Sequence, residues 1–171
     1  GLVSDPGADL GTLGGRESRA YGINSAGQVV GQSFTTFDLT QHAFRSSPSG
    51  ALVTLTDLGT LGGANSAALA INSFGVVVGG SDIVPGVTVQ HAFVYDTQMR
   101  DLNLLIAPSS GWVLGSAMGI NDFGQITGVG SINGQSHAFL LTPIPVPEPG
   151  AFLLTGAAAG IWALRRGRRS S

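Results

Sequence analysis

DLGTLGGANSAALAINSFGVVVGGS, from Asp57 to Ser81, decides the fold because the chain repeats it. DLGTLGGRESRAYGINSAGQVVGQS, from Asp9 to Ser33, shares five of its glycine positions and the same Ile-Asn pair. A third copy opens with DLN at Asp101 and continues as SAMGINDFGQITGVGS from Ser116 to Ser131. The pairs Ile23-Asn24, Ile71-Asn72 and Ile120-Asn121 are spaced 48 and then 49 residues apart. Each copy ends in His-Ala-Phe: His42-Ala43-Phe44, His91-Ala92-Phe93 and His137-Ala138-Phe139. Self-similarity at a fixed period is the signature of a repeat architecture. The units are read as 9–56, 57–100 and 101–143.

Each unit reads as short strands. In the second, Ala67 to Asn72 is a small, apolar run, Ser73-Phe74-Gly75 is a turn, and Val76 to Gly80 is β-branched and bounded by glycine. His91 to Tyr95 forms a third run. Leu52 to Thr56 supplies the fourth-strand pattern with its two-residue alternation. The turns have a mechanism. Asn24, Asn72 and Asn121 stand first, and Gly27, Gly75 and Gly124 stand fourth. An Asn side chain can hydrogen-bond the backbone two residues on, and glycine accepts the positive φ of a bulged exit. The three asparagines therefore read as turn formers; the competing reading is a ring of ligands for sugar or calcium.

Four short strands per 45–50 residues is about the size of a propeller blade. Helical repeats are disfavoured by 27 glycines and by the lack of apolar stripes at helical spacing. The fold expected is all-β, with about three propeller-like blades over residues 1–143 and one C-terminal transmembrane helix. Three blades close a ring poorly, since propellers have about four to eight. Leu2-Val3-Ser4 ahead of Asp9 also parallels Leu52-Val53-Thr54 ahead of Asp57. The expectation is therefore a piece of a longer propeller with further units before Gly1.

Composition narrows the chemistry. Residues 1–147 carry nine carboxylates against four arginines, Arg16, Arg19, Arg45 and Arg100. An acidic body argues against nucleic acid, whose phosphates call for basic surface. There is no cysteine, which removes disulfides, thiol catalysis and cysteine-ligated zinc. GTLGG at Gly11–Gly15 and Gly59–Gly63 lacks the Lys-Ser/Thr of a phosphate loop and reads as a flexible connection between blades. Glu17 is the only glutamate of the body, so no glutamate pair serves glycoside hydrolysis. His42, His91 and His137 read as half-buried structural residues bonded to neighbouring loops, ahead of a zinc-type site. Asp9, Asp57 and Asp101 read as loop caps, ahead of a calcium array. Tyr21, Tyr95 and Trp112 could stack on sugar rings, but lone aromatics read first as core. No catalytic residue, metal or cofactor is assigned.

The repeats resemble the HAF family of bacterial extracellular repeats. The three His-Ala-Phe triplets carry the likeness, with the flanking DLGTLGG and Ile-Asn elements, from Asp9 to about Pro143. His42, Phe44, His91, Phe93, His137 and Phe139 are its repeat-defining positions. The resemblance implies export and no shared enzymatic activity. The third unit departs from it, with DLNLLIAPSSGWVLG in place of DLGTLGG.

The C-terminus, VPEPGAFLLTGAAAGIWALRRGRRSS from Val146 to Ser171, differs from everything before it. Alternating prolines over 144–150 force an extended segment with few backbone donors. Ala151 to Leu164 carries no charge. As a helix it would span about 21 Å, against a hydrocarbon core of about 30 Å. The basic tail 165–171, with Arg165, Arg166, Arg168 and Arg169, would hold that end on the cytoplasmic side and extend the span by snorkelling. This order closely resembles the PEP-CTERM sorting domain of Gram-negative bacteria, with Val146, Pro147, Glu148 and Pro149 as the motif. The resemblance implies a membrane exosortase as partner, transient residence in the inner membrane, and then a cell-surface or extracellular fate beside exopolysaccharide and biofilm. The leading expectation is a non-enzymatic binding or structural component of the envelope or matrix. The alternative is a polysaccharide-acting propeller enzyme whose active site lies in an N-terminal part outside this sequence.

Overall fold

The structure, a computed structural model, describes residues 9–48, 53–144 and 161–164. Apart from three short 3-10 turns, every regular element in that range is a strand. The first sheet is β1 (Gly14–Ile23), β2 (Val29–Thr35), β3 (Gln41–Ser46) and β4 (Leu55–Asp57). The second is β5 (Ser66–Ile71), β6 (Val77–Val84), β7 (Val87–Tyr95) and β8 (Met99–Asp101). The third is β9 (Trp112–Ile120), β10 (Ile126–Ile132), β11 (Gln135–Ile144) and β12 (Ile161–Leu164). All three are antiparallel meanders in chain order. The repeat boundaries read at Asp57 and Asp101 fall on the last residue of a fourth strand.

Register explains the triplet. Gly79 of β6 pairs with Ala68 on one side and Phe93 on the other, so these three share a face; Gly80, Ala67 and Ala92 share the opposite one. His91 and Phe93 thus point one way and Ala92 the other. The face with Phe93 (the front) packs on the preceding sheet: Phe93, Ala68, Ile71 and Val77 meet Val30 and Ala43. The back packs on the following sheet: Val78, Ala92 and Val94 meet Leu114, Phe139 and Leu141. Phe93 is wholly buried, which is worth about 1.5–3 kcal/mol. Three sheets are stacked front to back with two apolar layers between them.

The crowding fixes a glycine in each sheet. A Cβ on Gly79 would collide with the Ala67 carbonyl and the Phe93 ring. Gly128 has the same conflict with the Ser116 carbonyl and Phe139, and Gly31 with the Arg19 carbonyl. A register shift in the first strand pair of each sheet accompanies this approach.

The connection read as flexible is tied down. Asp57 Oδ1 accepts from the Gly59 amide at 2.8 Å, Thr60 Oγ1 donates to the Gly63 carbonyl at 2.9 Å, and the Leu61 amide donates to Ser81 Oγ at 2.8 Å. Leu58 anchors it in the core. The third unit replaces it by a longer connection that buries Leu102 and Ile106. There Asn103 brackets Leu114, accepting from its amide at 2.7 Å and donating to its carbonyl at 2.9 Å.

The C-terminal expectation needs correction where the structure describes it. The last four residues of the expected helix, Ile161–Leu164, form strand β12, paired antiparallel with Leu141–Ile144 of β11. The reason is the edge of the third sheet. β11 presents the same edge that β4 and β8 cover in the other two sheets, and an open edge of N–H and C=O groups takes up extended chain. Ile and Trp suit a strand. β4 and β8 pair as far as Phe44 and Phe93, and the described pairs of β12 run over Leu141–Ile144. No helix among the described residues is long and apolar enough to cross a membrane. Residues 151–160, the motif Val146–Pro149 and the cluster Arg165–Arg169 lie outside the described residues, as do Leu2–Ser4.

Candidate ligand-binding edge

The three Asn-x-x-Gly turns are built alike. Asn72 Oδ1 accepts from the amides of Phe74 at 3.1 Å and Val76 at 3.0 Å. Asn24 does the same for Ala26 and Gln28, and Asn121 for Phe123 and Gln125. Gly75 closes its turn at φ 79°, a conformation that costs other residues strain. With Oδ1 committed to the turn, Nδ2 is free to reach elsewhere. Asn24 Nδ2 donates to the Asn72 carbonyl at 3.0 Å, and Asn72 Nδ2 to the Asn121 carbonyl at 3.2 Å. One residue type thus shapes all three turns and ties the first two to the next sheet.

This ladder brings the second and third turns together on one edge. The Ser73 amide donates to Asp122 Oδ1 at 2.9 Å across the gap. Phe74 and Phe123, at equivalent places in the two turns, are 75% and 85% exposed. Both line a cleft of about 360 Å³ with Val76, Asp96, Arg100 and Asp122. Arg100 Nη2 donates to Asp96 Oδ2 at 2.5 Å, while its Nε is buried without a partner among the described residues. Burial opposes the charge on Asp96, but the Thr97 amide and the Arg100 guanidinium outweigh it and hold the carboxyl below its ordinary value. Hydrogen bonds from the Ser73 amide and hydroxyl lower Asp122. Both acids are ionised at neutral pH and lie beside two exposed rings. A larger cleft of about 460 Å³ is lined by Leu61, Ile83, Met99, Leu104 and Leu105; its Asp101 is already held by His91 and Asn103.

The histidines do not converge. His42 Nδ1 donates to Asp57 at 2.9 Å and His91 Nδ1 to Asp101 at 2.6 Å, each clasping the third strand of a sheet to its fourth. His137 has no such acid among the described residues; its ring lies edge-on to Trp112 at 6.5 Å. Asp9 caps the Gly11 amide at 2.9 Å and meets no histidine among the described residues. In the same range no group of three His, Asp or Glu side chains could hold a metal ion. Trp112 packs against the core and on Phe139. The Arg45 guanidinium lies over the Tyr95 ring. Sequence reading passed over Phe74 and Phe123, although a third place in an Asn-x-Phe-Gly turn is a solvated tip, where a large apolar side chain has no packing role.

No protein-family model, curated protein or solved structure matches the chain.

Proposed function

We propose that this is an exported, non-enzymatic repeat protein of the cell envelope or exopolysaccharide matrix, whose sheets act as propeller-like blades and whose turn edge binds polysaccharide. The paired exposure of Phe74 and Phe123 in one cleft with Asp96 and Asp122 carries the reading. Sugar rings offer an apolar face to an aromatic ring and hydroxyls to carboxylates, and sites of this kind combine apolar walls with a few placed polar groups. The PEP-CTERM-like order of motif, apolar run and arginines supports delivery by an exosortase through the inner membrane to the surface.

The test is affinity electrophoresis through gels carrying bacterial exopolysaccharide, with the full chain. The Phe74→Ala, Phe123→Ala double variant should lose at least about tenfold in affinity, or about 1.4 kcal/mol, while its circular dichroism stays unchanged because both rings are exposed. Unaltered retardation would overturn the binding reading. Delivery is tested separately: Glu148→Ala should leave the protein in the membrane fraction, and normal release would sink the sorting reading.

A further inference from the structure

We infer that two copies of this chain dock head to tail, the front of the first sheet of one copy against the back of the third sheet of the other. The two internal interfaces set the pattern. At each, an apolar front meets an apolar back, and an Asn Nδ2 of the earlier sheet donates to the Asn carbonyl of the later one. Where the chain passes from one sheet to the next, an Asp at the start of the connection clasps the His of the sheet just completed.

The two outer faces carry the unmatched halves of this pattern. On the front of the first sheet, Ile23 is 68% exposed where its counterpart Ile71 is 8% exposed. Ala20 is exposed where Ala68 and Ala117 are buried. The Asn24 carbonyl accepts only from the Gly27 amide of its own turn among the described residues, and Asp9 has no histidine. On the back of the third sheet, Ala138 and Thr127 are exposed where Ala92 and Val78 are buried. Asn121 Nδ2 turns back to Gln125 Oε1 at 2.8 Å, and His137 has no carboxylate partner among the described residues.

Every missing half at one end is present at the other. Asp9 matches His137, the Asn24 carbonyl matches Asn121 Nδ2, and Ile23 with Ala20 matches Ala138 with Thr127. The faces are not self-complementary, since front against front would set Asp9 against Asp9. The contact is therefore heterologous, and such contacts form closed rings when the rotation per subunit allows. Two copies supply six sheets, inside the range of about four to eight over which such sheets close.

Sedimentation equilibrium of the full chain, in density-matched detergent that keeps the apolar tail dispersed, tests this. The expected protein mass is twice the 17.3 kDa of the chain. Ile23→Glu and Ala138→Glu, both at exposed positions, should each give monomers with unchanged circular dichroism. Mixing these two variants should restore the pair, because one intact front then meets one intact back. A monomer at all concentrations for the parent chain overturns the inference. So does an unlimited mass series, or a mixture that stays monomeric. Pairing that survives Ala138→Glu but not Ile23→Glu would indicate a front-to-front contact and overturns it as well.

Discussion

Asn72 donates its Nδ2 hydrogen to the main-chain carbonyl of Asn121, 49 residues later in the chain, across 3.2 Å. The same side chain accepts two amides of its own turn through Oδ1, and the residue is buried. Removing it leaves those amides without partners and the Asn121 carbonyl with only the Gly124 amide of its own turn. Three hydrogen bonds at about 1 kcal/mol each set the scale. Asn72→Ala should cost about 2–3 kcal/mol in urea denaturation with an unchanged m-value. Asn72→Asp keeps the acceptors and loses the donor, so it should cost less than Asn72→Ala. Asn121→Ala should also cost less, because its Nδ2 reaches only Gln125 within the same turn. Equal losses at the two asparagines would refute the inter-sheet role.

Gly79→Ala tests the tight approach of strand and ring. The added methyl meets the Ala67 carbonyl, which is main chain, and the Phe93 ring, which is locked in the core. Overpacking costs about 1–3 kcal/mol where side chains can shift; here backbone must move too, so the loss should lie at the upper end or above. Gly115→Ala is the control. Its new Cβ would touch only the Val129 carbonyl at 3.5 Å, and its φ is not in the left-handed region. That variant should stay within about 0.5 kcal/mol of the parent.

The repeat, the strands and the turn chemistry were legible because each is local. All but the first residue of Val76 to Gly80 lies inside β6, His91 to Tyr95 lies inside β7, and the Asn and Gly of each turn do what their side chain and φ require. What reached across units was not legible. The clasp of His91 to Asp101 depends on which strand closes a sheet, and that is a property of register. The ladder from Asn24 to Asn72 to Asn121 needs the stacking of sheets before a spare Nδ2 has anything to donate to. GTLGG looked flexible because glycine hides its partners; Ser33 and Ser81, which receive the Leu13 and Leu61 amides, lie 20 residues away. The segment Ile161–Leu164 was read by its hydrophobicity, which suits a membrane and a vacant sheet edge equally well.

Acid should loosen the joint between the second and third turns. Asp122 lies below its ordinary value of 3.8 in the folded chain, because the Ser73 amide and hydroxyl stabilise its charged form. Its contribution is therefore complete above the unfolded-state value and declines as pH falls through the lower folded value. From pH 5 to 8 this pair should add no pH dependence. Below about pH 4, the melting temperature of the parent should fall more steeply than that of Asp122→Asn. Asp96, also lowered, acts in the same direction, so a double variant with Asp96→Asn should flatten the acid limb further. Parallel acid limbs for parent and Asp122→Asn would show that the Ser73 contact does not depend on the charge.

The proposed removal of the tail requires that the body stay folded without it. β12 covers Leu141–Ile144, and the last two of these residues are only half-buried or exposed. The buried residues of β11, Phe139 and Leu141, belong to the apolar layer shared with the second sheet, which holds them from the front rather than from the edge. Edge pairing at the end of a strand is the part of a sheet that opens most readily. A chain ending at Pro149 should therefore keep the three-sheet circular dichroism spectrum and lose less than about 1 kcal/mol. Its faster hydrogen exchange should be confined to Thr142 and Ile144. Loss of protection extending to Ile126 or Leu114 would mean that β12 is integral to the third sheet and that the tail does not detach without unfolding it.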